Sequence, residues 1–256
     1  MNRTMTDELD RIDEAFSQNR LLSTFPAAAR ALIEPSAETV GLDLGEVVHQ
    51  RGTDVTSTYF PFGCTMVSLV VDLPQQRSIE VASIGHEGAV GGIVSCGRAP
   101  AFARAEVLVP GPALRVPMQV LEEAKMRSGH IRNLICRYSD YLLAMVMQSA
   151  ACNTFHTIEE RAARWLLTAQ DRGGPTIRLT QEALAGLLGV QRTTVNAVVR
   201  ILQDEGLVAT RRGTIEVLDR AGLKRRSCIC HDLVERHFAA VVGPTGTGGT
   251  SPGECD

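Results

Sequence analysis

The sequence has no apolar run long enough to cross a membrane, and this absence sets a first limit on the chain. Within its 256 residues no stretch of about 18 consecutive apolar residues occurs. The first eight residues are mostly polar and lack the apolar stretch of a signal peptide. We therefore expect a cytoplasmic protein without a membrane partner.

A disulfide framework and a recognisable catalytic constellation are also missing from the sequence. The seven cysteines are an odd and scattered set, which argues against a disulfide-stapled domain. No combination of nucleophile, base and orienting group, no paired-carboxylate site and no Walker-type glycine-rich loop is present. These absences predict that the protein is not an enzyme. The composition that remains, 44% hydrophobic and 21% charged, is ordinary for a globular chain long enough for two domains.

Positive charge is concentrated in one segment, although the whole chain carries a net charge of −3. Residues 176–226 hold nine basic and five acidic side chains, a net charge of +4 that leaves −7 for the rest. This uneven distribution is typical of a nucleic-acid-binding domain joined to a second domain of opposite charge.

The segment 179–218 predicts a winged helix-turn-helix. Thr180 can cap a first helix, and Gly189 can adopt the positive φ of a tight turn because it has no Cβ. A second helix begins near Gln191, and its apolar residues recur at i, i+3, i+4 and i+7. Two short strands, 207–210 and 214–218, follow as a hairpin with a basic tip.

The polar face of the second helix suits base recognition, because arginine can pair with guanine and asparagine with adenine in the major groove. Arginines at the hairpin tip suit phosphate contacts. The predicted DNA-binding residues are Thr180, Gln181, Arg192, Thr193, Asn196, Arg200, Arg211 and Arg212. A solvated helix pair beside an ordinary hairpin is the alternative, but the combination of helices and hairpin favours double-stranded DNA as a partner.

Two further sequence patterns precede this segment along the chain. Short β-rich runs separated by Gly, Pro and Asp fill residues 36–117 and predict an all-β barrel or sandwich. Residues 128–155 read as one long helix with apolar positions at steps of three and four, as in a coiled coil. The seam predicted as the dimer interface is Ile131, Leu134, Tyr138, Tyr141, Met145, Gln148 and Cys152.

A second apolar edge of the same helix, Ile135, Leu142 and Val146, is expected to pack against the β domain while the seam faces a partner. The alternative is a helix that is wholly buried in its own chain. The predicted fold class is therefore α+β. The predicted segments are a polar N-terminus (1–20), a β-roll (21–127), a dimerisation helix (128–155), a DNA-binding domain (156–240) that opens on a Thr157–Glu160 capping box, and a disordered tail (241–256).

A β-roll, a long helix and a winged helix-turn-helix in this order resemble the Crp/Fnr family of bacterial transcription regulators. The resemblance spans roughly Leu21 to Leu223, and its strongest residues are the stretches 179–185 and 189–195. The stretch 83–91, Ser-Ile-Gly-His-Glu-Gly-Ala-Val-Gly, resembles the turn that opens the family's effector cassette. The resemblance implies a homodimeric regulator that binds DNA and has RNA polymerase as its expected protein partner.

The effector itself does not follow from the resemblance. Relatives that bind cyclic nucleotides carry a glutamate directly after a glycine for the ribose hydroxyl, and an arginine for the phosphate. The glutamate position here is His86 or Ala89, and neither supplies a carboxylate, while Glu87 would need a one-residue shift. The effector-pocket candidates are Gly88, Ala89, Arg98 and Ala99. No cofactor is expected, and a cyclic nucleotide is the alternative.

The cysteines do not predict a metal centre either. The first is Cys64, so the cysteine cluster that some relatives place near the N-terminus for an iron-sulfur centre is missing. Cys228, Cys230 and His231, with His237 beyond them, are residue types that suit a soft metal or a redox switch. Packing beside a helix explains such a motif more simply, so no metal site is predicted.

These observations together predict a homodimeric, sequence-specific transcription regulator whose β-roll senses an unidentified signal or acts without an effector. One alternative is a cyclic-nucleotide-responsive regulator. Another is a signalling subunit that binds no DNA and uses its C-terminal domain for protein docking. Thr193 and Ala197 stand where well-known relatives carry Glu and a second Arg, so the operator sequence does not follow.

Overall fold

An antiparallel β domain forms the N-terminal half of the computed structural model, which describes residues 2–74, 77–94 and 99–243. Two sheets make up this domain, with strand orders β1-β7-β3 and β2-β6-β4-β5. The strands are β1 Glu38–Leu42, β2 Val47–His49, β3 Ser57–Pro61, β4 Met66–Leu73, β5 Arg77–Ile84, β6 Arg104–Val109 and β7 Gly111–Pro117. The predicted β-rich segment is thereby confirmed.

The core of the β domain lies between its two sheets. Phe60 and Leu114 from the first sheet meet Val67 and Val107 from the second in one buried cluster. Alternation of inward and outward side chains produces this, because successive residues of a strand point to opposite faces. The sequence reading missed β1, whose interior glycine, Gly41, weakens the strand signal.

Four helices surround the β domain: α1 Asn2–Gln18, α2 Ala27–Ile33, α3 Met118–Arg127 and α4 Gly129–Phe155. The polar N-terminal segment is more than a surface helix, because Ile12, Ala15 and Phe16 are buried in the β-domain core. Asn19 follows as a buried residue whose amide donates to the carbonyls of Pro61 and Gly88, both at 2.8 Å. These contacts fasten α1 to the β domain.

The C-terminal half has its own core and its own small sheet. Its elements are α5 Ile158–Gly173, β8 Thr176–Ile177, α6 Gln181–Leu188, α7 Arg192–Asp204, β9 Val208–Arg211, β10 Thr214–Val217, α8 Arg220–Arg226 and α9 Cys230–Val241. The small sheet is antiparallel with the order β8-β10-β9. The predicted capping box is present, with Thr157 and Glu160 bonded reciprocally at the start of α5. Leu166, Val199 and Ile215 lie in the second core.

The last helix turns back onto the first half of the chain. Phe238 of α9 packs edge-on against Tyr141 of α4, with 4.9 Å between ring centroids. The predicted disordered tail, 241–256, lies outside the described residues from position 244 onward. Within the described ranges, no helix combines the length and apolarity needed to cross a bilayer.

Candidate nucleic-acid interface

The turn between α6 and α7 is set by two residues. Thr180 accepts a hydrogen bond from the Ala183 amide at 3.1 Å, which starts α6. Gly189 ends it in the left-handed region, at φ 67° and ψ 34°, where a side chain would be strained. Helix α7 then begins directly after Gln191, as the sequence predicts.

Helix α7 presents one apolar and one polar face. Val195, Val198, Val199 and Leu202 are buried in the second core. Arg192, Thr193, Asn196 and Arg200 are all exposed on the opposite face. Arg192 lies 3.5 Å from Glu182 of α6, with both side chains at least 64% exposed. Such an exposed pair stabilises little, so Arg192 can leave Glu182 for a stronger partner at small cost.

The wing is a short hairpin beside this face. Strands β9 and β10 pair in register from Arg211–Thr214 to Val208–Val217, and Gly213 turns the tip at φ 76°. Arg211 and Arg212 are exposed there. The nearest carboxylate to Arg211 is Glu216 at 3.9 Å, and the Arg211 side chain is 80% exposed, so solvent screens this contact. Gln181 is half-buried, while Thr180 is exposed at the α6 N-terminus.

The turn 83–91 contacts both halves of the molecule. Glu87 is buried and lies 2.6 Å from the Arg172 guanidinium of α5. Burial alone would raise the pKa of Glu87, but the Arg172 charge, the neighbouring His86 and backbone hydrogen bonds together more than offset it and hold the pKa below its usual value. Arg172 also donates to the Ser83 hydroxyl at 2.7 Å. Glu87 therefore pairs with the C-terminal half and is not free to bind a ribose hydroxyl.

The candidate effector positions Gly88 and Ala89 are filled by Tyr138 of α4. A Cβ at Gly88 would come within 2.0 Å of the Tyr138 hydroxyl, so only glycine permits this approach. That hydroxyl accepts from the Ala89 amide at 2.9 Å and donates to the Ala89 carbonyl at 3.1 Å. Burial lowers the pKa of neighbouring His86, which favours its neutral form. Ala99 is half-buried, and Arg98 lies outside the described residues.

Known proteins share parts of this architecture. Residues 160–226 match the family model of the Crp-like helix-turn-helix domain. The C-terminal half therefore contains a Crp-like helix-turn-helix domain. No curated protein gave a significant match to the sequence.

Solved structures of other proteins share this fold. A putative Crp/Fnr-family regulator from Eubacterium rectale superposes with a TM-score of 0.63 at 20% identity, covering 83% of this chain and 97% of the other. FixK2 from Bradyrhizobium japonicum gives a TM-score of 0.65 at 17% identity, covering 75% and 98%. The c-di-GMP-responsive regulator CLP from Xanthomonas campestris gives 0.60 at 16% identity, covering 76% and 100%. At these identities the likeness concerns the fold.

The long helix α4 turns its predicted seam inward. Six of the seven seam residues are buried within the chain, and Gln148 is half-buried. They contact the β domain and α9, as Tyr138 does at Ala89 and Tyr141 at Phe238. A different stripe is exposed, and it consists of Cys136, Leu143, Val146, Met147 and Ala150. The three- and four-residue periodicity predicts a helix here, and the helix is present. The same periodicity fits packing within one chain as well as packing between two chains.

Several residues that join the two halves have no sequence signal of their own. Trp165 of α5 donates its indole N–H to Glu80 of β5 at 2.9 Å. A Cβ at Gly189 would lie 3.4 Å from the Ile79 side chain, so the helix-turn-helix turn itself rests on β5. Arg172 follows Gln170 and Asp171 in a polar stretch, so its neighbours along the chain do not indicate that its side chain is buried.

Proposed function

We propose that this protein is a Crp/Fnr-type transcription regulator that binds specific DNA sequences as a homodimer and reads bases through α7. The observation that carries the proposal is the two-faced character of α7, because its apolar face is fully buried while Arg192, Thr193, Asn196 and Arg200 are free to enter a major groove. The arginines can form bidentate contacts with guanine, and Asn196 can form them with adenine.

The wing contributes affinity rather than specificity in this proposal. Arg211 and Arg212 are exposed at a hairpin tip, where guanidinium groups can reach phosphate oxygens on either side of the groove. Thr180 and Gln181 stand at the N-terminus of α6, where backbone amides and the helix dipole favour an anion. Phosphate contacts at these points would fix the register of α7 on the duplex.

Dimerisation through α4 would supply the second half-site. The exposed stripe places Cys136, Leu143 and Ala150 at seven-residue spacing, with Val146 and Met147 between them. A second copy of the same helix can cover such a stripe in a two-stranded coiled coil. This stripe is exposed in the single chain, whereas the inward seam is buried. The stripe is therefore a better candidate for the dimer interface than the seam.

The β domain would influence DNA binding through the turn 83–91, which touches Arg172 of α5 and Tyr138 of α4. The signal need not be a cyclic nucleotide, because Glu87 is paired and Tyr138 occupies the space beside Gly88. Calorimetric titration with cyclic AMP and cyclic GMP should give no micromolar binding. A micromolar constant lost in Arg98→Ala would restore the cyclic-nucleotide alternative. RNA polymerase is proposed as a protein partner on the family resemblance alone.

Site selection from a random duplex pool tests the DNA assignment. Arg192→Ala should cost about 1 to 3 kcal/mol on the selected site and relax preference at one base position. Arg211→Ala should weaken binding to all duplexes alike. It should also lower the slope of log K against log salt concentration by about one. Arg127→Ala, an exposed arginine on α3, is the matched control and should change neither. An unchanged motif and affinity in Arg192→Ala would show that α7 does not read bases.

A further inference from the structure

Four metal-ligating side chains meet at the junction between the two halves of the molecule. Cys152 lies in the last turn of α4 and His156 follows that helix as its C-cap, while Cys228 precedes α9 and Cys230 opens it. The three sulfurs and one imidazole nitrogen all lie within 4.8 Å of one another. Residues about 75 positions apart in sequence thus form one cluster.

Two of the distances between ligand atoms match the edges of a small tetrahedron. The sulfurs of Cys152 and Cys228 are 3.6 Å apart, and the Cys230 sulfur is 3.4 Å from His156 Nδ1. Zinc bonds of about 2.3 Å to sulfur and about 2.0 Å to nitrogen, at tetrahedral angles, give edges of about 3.8 Å and about 3.5 Å. An iron-sulfur cluster distributes its thiolates over several irons, so it needs a wider spacing.

We propose that Cys152, His156, Cys228 and Cys230 bind one tetrahedral Zn²⁺ ion. The set is a Cys₃His site, one of the closed four-coordinate arrangements of structural zinc. The histidines that follow Cys230 in sequence are not part of it. His231 bonds Asp171 at 2.7 Å, and His237 bonds Asp140 at 3.0 Å.

Apolar packing alone does not account for this cluster. Cys152 and Cys230 are fully buried and Cys228 nearly so, yet the three form a cluster separate from both hydrophobic cores. Four ligand-bearing side chains from two separate stretches of chain, 152–156 and 228–230, converge, and no core needs such chemistry. The fourth member, His156, is half-buried and turns its ring nitrogen towards the sulfurs.

The surroundings suit the charge of a zinc-thiolate centre. Three thiolates, one neutral imidazole and Zn²⁺ sum to one negative charge. Arg161 and Arg164 of α5 both interact electrostatically with Cys152 and can balance it. Gln148 donates its amide to the Cys230 sulfur at 3.0 Å, an outer contact of the kind that orients a metal ligand.

Zinc at this position would fix the angle between α4 and the DNA-binding half. His156 lies between the end of α4 and the Thr157 cap of α5 and is itself a ligand, so the ion would join the α4–α5 junction directly to α9. The site uses no residue of α7 and does not depend on the DNA-binding proposal.

Metal analysis of the full-length chain, purified under reducing conditions, tests the site. We expect one zinc per chain by elemental analysis. After removal by a chelator, one equivalent of Co²⁺ should give thiolate charge-transfer and tetrahedral d–d absorption. Cys228→Ser and Cys230→Ser should lose stoichiometric binding, whereas Cys136→Ser, an exposed thiol, should keep it. Gln148→Ala should weaken zinc about 10- to 100-fold in competition with a chromogenic chelator.

A second readout covers variants that fold poorly. Chelation should lower the thermal midpoint of the wild-type chain and of Cys136→Ser, because a ligand that binds only the folded state stabilises it. Wild-type chain that takes up neither Zn²⁺ nor Co²⁺ after full reduction would overturn the proposal. So would equal binding in wild type and in Cys228→Ser, or a Cys152–Cys228 disulfide that persists under the reducing conditions in place of metal.

Discussion

At the scale of single residues, the buried pair Glu87–Arg172 links the β domain to the C-terminal half. Both side chains are at most 5% exposed, and each makes a further hydrogen bond, from the Gly85 amide to Glu87 and from Arg172 to Ser83. Removing one partner leaves a buried charge uncompensated.

Glu87→Gln should therefore destabilise the fold by about 3 to 5 kcal/mol. Denaturant unfolding at neutral pH measures this. The double variant Glu87→Gln, Arg172→Met removes both charges and should recover a large part of the loss, because an apolar side chain tolerates the buried position. If the double variant were as unstable as the two single changes added together, the pair would not be coupled.

Glu80 allows a pH-dependent prediction at the same interface. Burial raises the pKa of Glu80, and the bonds from Ser68 and Trp165 and the charges of Arg164 and Arg172 offset only part of it. A carboxyl whose pKa is higher folded than unfolded favours folding only when protonated, so this contribution is lost as the pH rises through the raised pKa.

Glu80→Gln should consequently gain stability relative to the wild type as the pH rises from about 5 to about 8. Urea unfolding of both proteins at several pH values provides the difference. Glu123→Gln, an exposed change on α3, serves as the control and should show a constant difference. A pH-independent difference for Glu80→Gln would contradict the assignment.

At the scale of elements, α4 shows how one helix serves two surfaces. Its inward stripe is part of the β-domain core, so Leu134→Glu would destabilise the chain itself rather than only an interface. Its outward stripe leaves Leu143 53% and Met147 61% exposed.

Leu143→Glu combined with Met147→Glu should convert a dimer into monomers, because four added charges would face each other across the proposed two-fold axis. Sedimentation velocity measures the change, and circular dichroism shows whether the monomer is folded. Met126→Glu, on the exposed side of α3, controls for the loss of an exposed methionine. An intact dimer in the double variant would move the interface to another surface.

At the scale of the whole molecule, two cores are held together by polar contacts and by α9. Trp165 is the single tryptophan of the chain and donates to Glu80 across the junction. Its fluorescence therefore reports on docking, whereas circular dichroism reports on helix content.

We expect both signals to change at the same denaturant concentration, since separating the halves would expose apolar surface such as Met66, which belongs to β4 but lies in the second core. A fluorescence transition at clearly lower denaturant than the loss of helix would mean that the halves separate before either unfolds. Trp165→Phe, followed by circular dichroism alone, checks that the indole bond does not itself determine the transition.

The sequence determined the elements whose signals are local. The β-rich runs, the Thr157–Glu160 capping box, the Thr180 cap, the Gly189 turn and the two faces of α7 all follow from short-range spacing and backbone preference, and the structure contains each of them. Hydrophobic periodicity also located α4, because a stripe at three- and four-residue steps needs no knowledge of its partner.

Only the tertiary structure decided which surfaces meet. Periodicity cannot tell a helix face that packs within the chain from one that packs on a second copy, so the inward turn of Tyr138 and Tyr141 was not readable. Likewise, the sequence around Cys228 and Cys230 indicates only ordinary packing, and the structure shows that Cys152 and His156 lie beside them. Sequence spacing describes neighbours along one element, whereas a metal site or a buried ion pair depends on distances between elements, and these are fixed by packing of the whole chain.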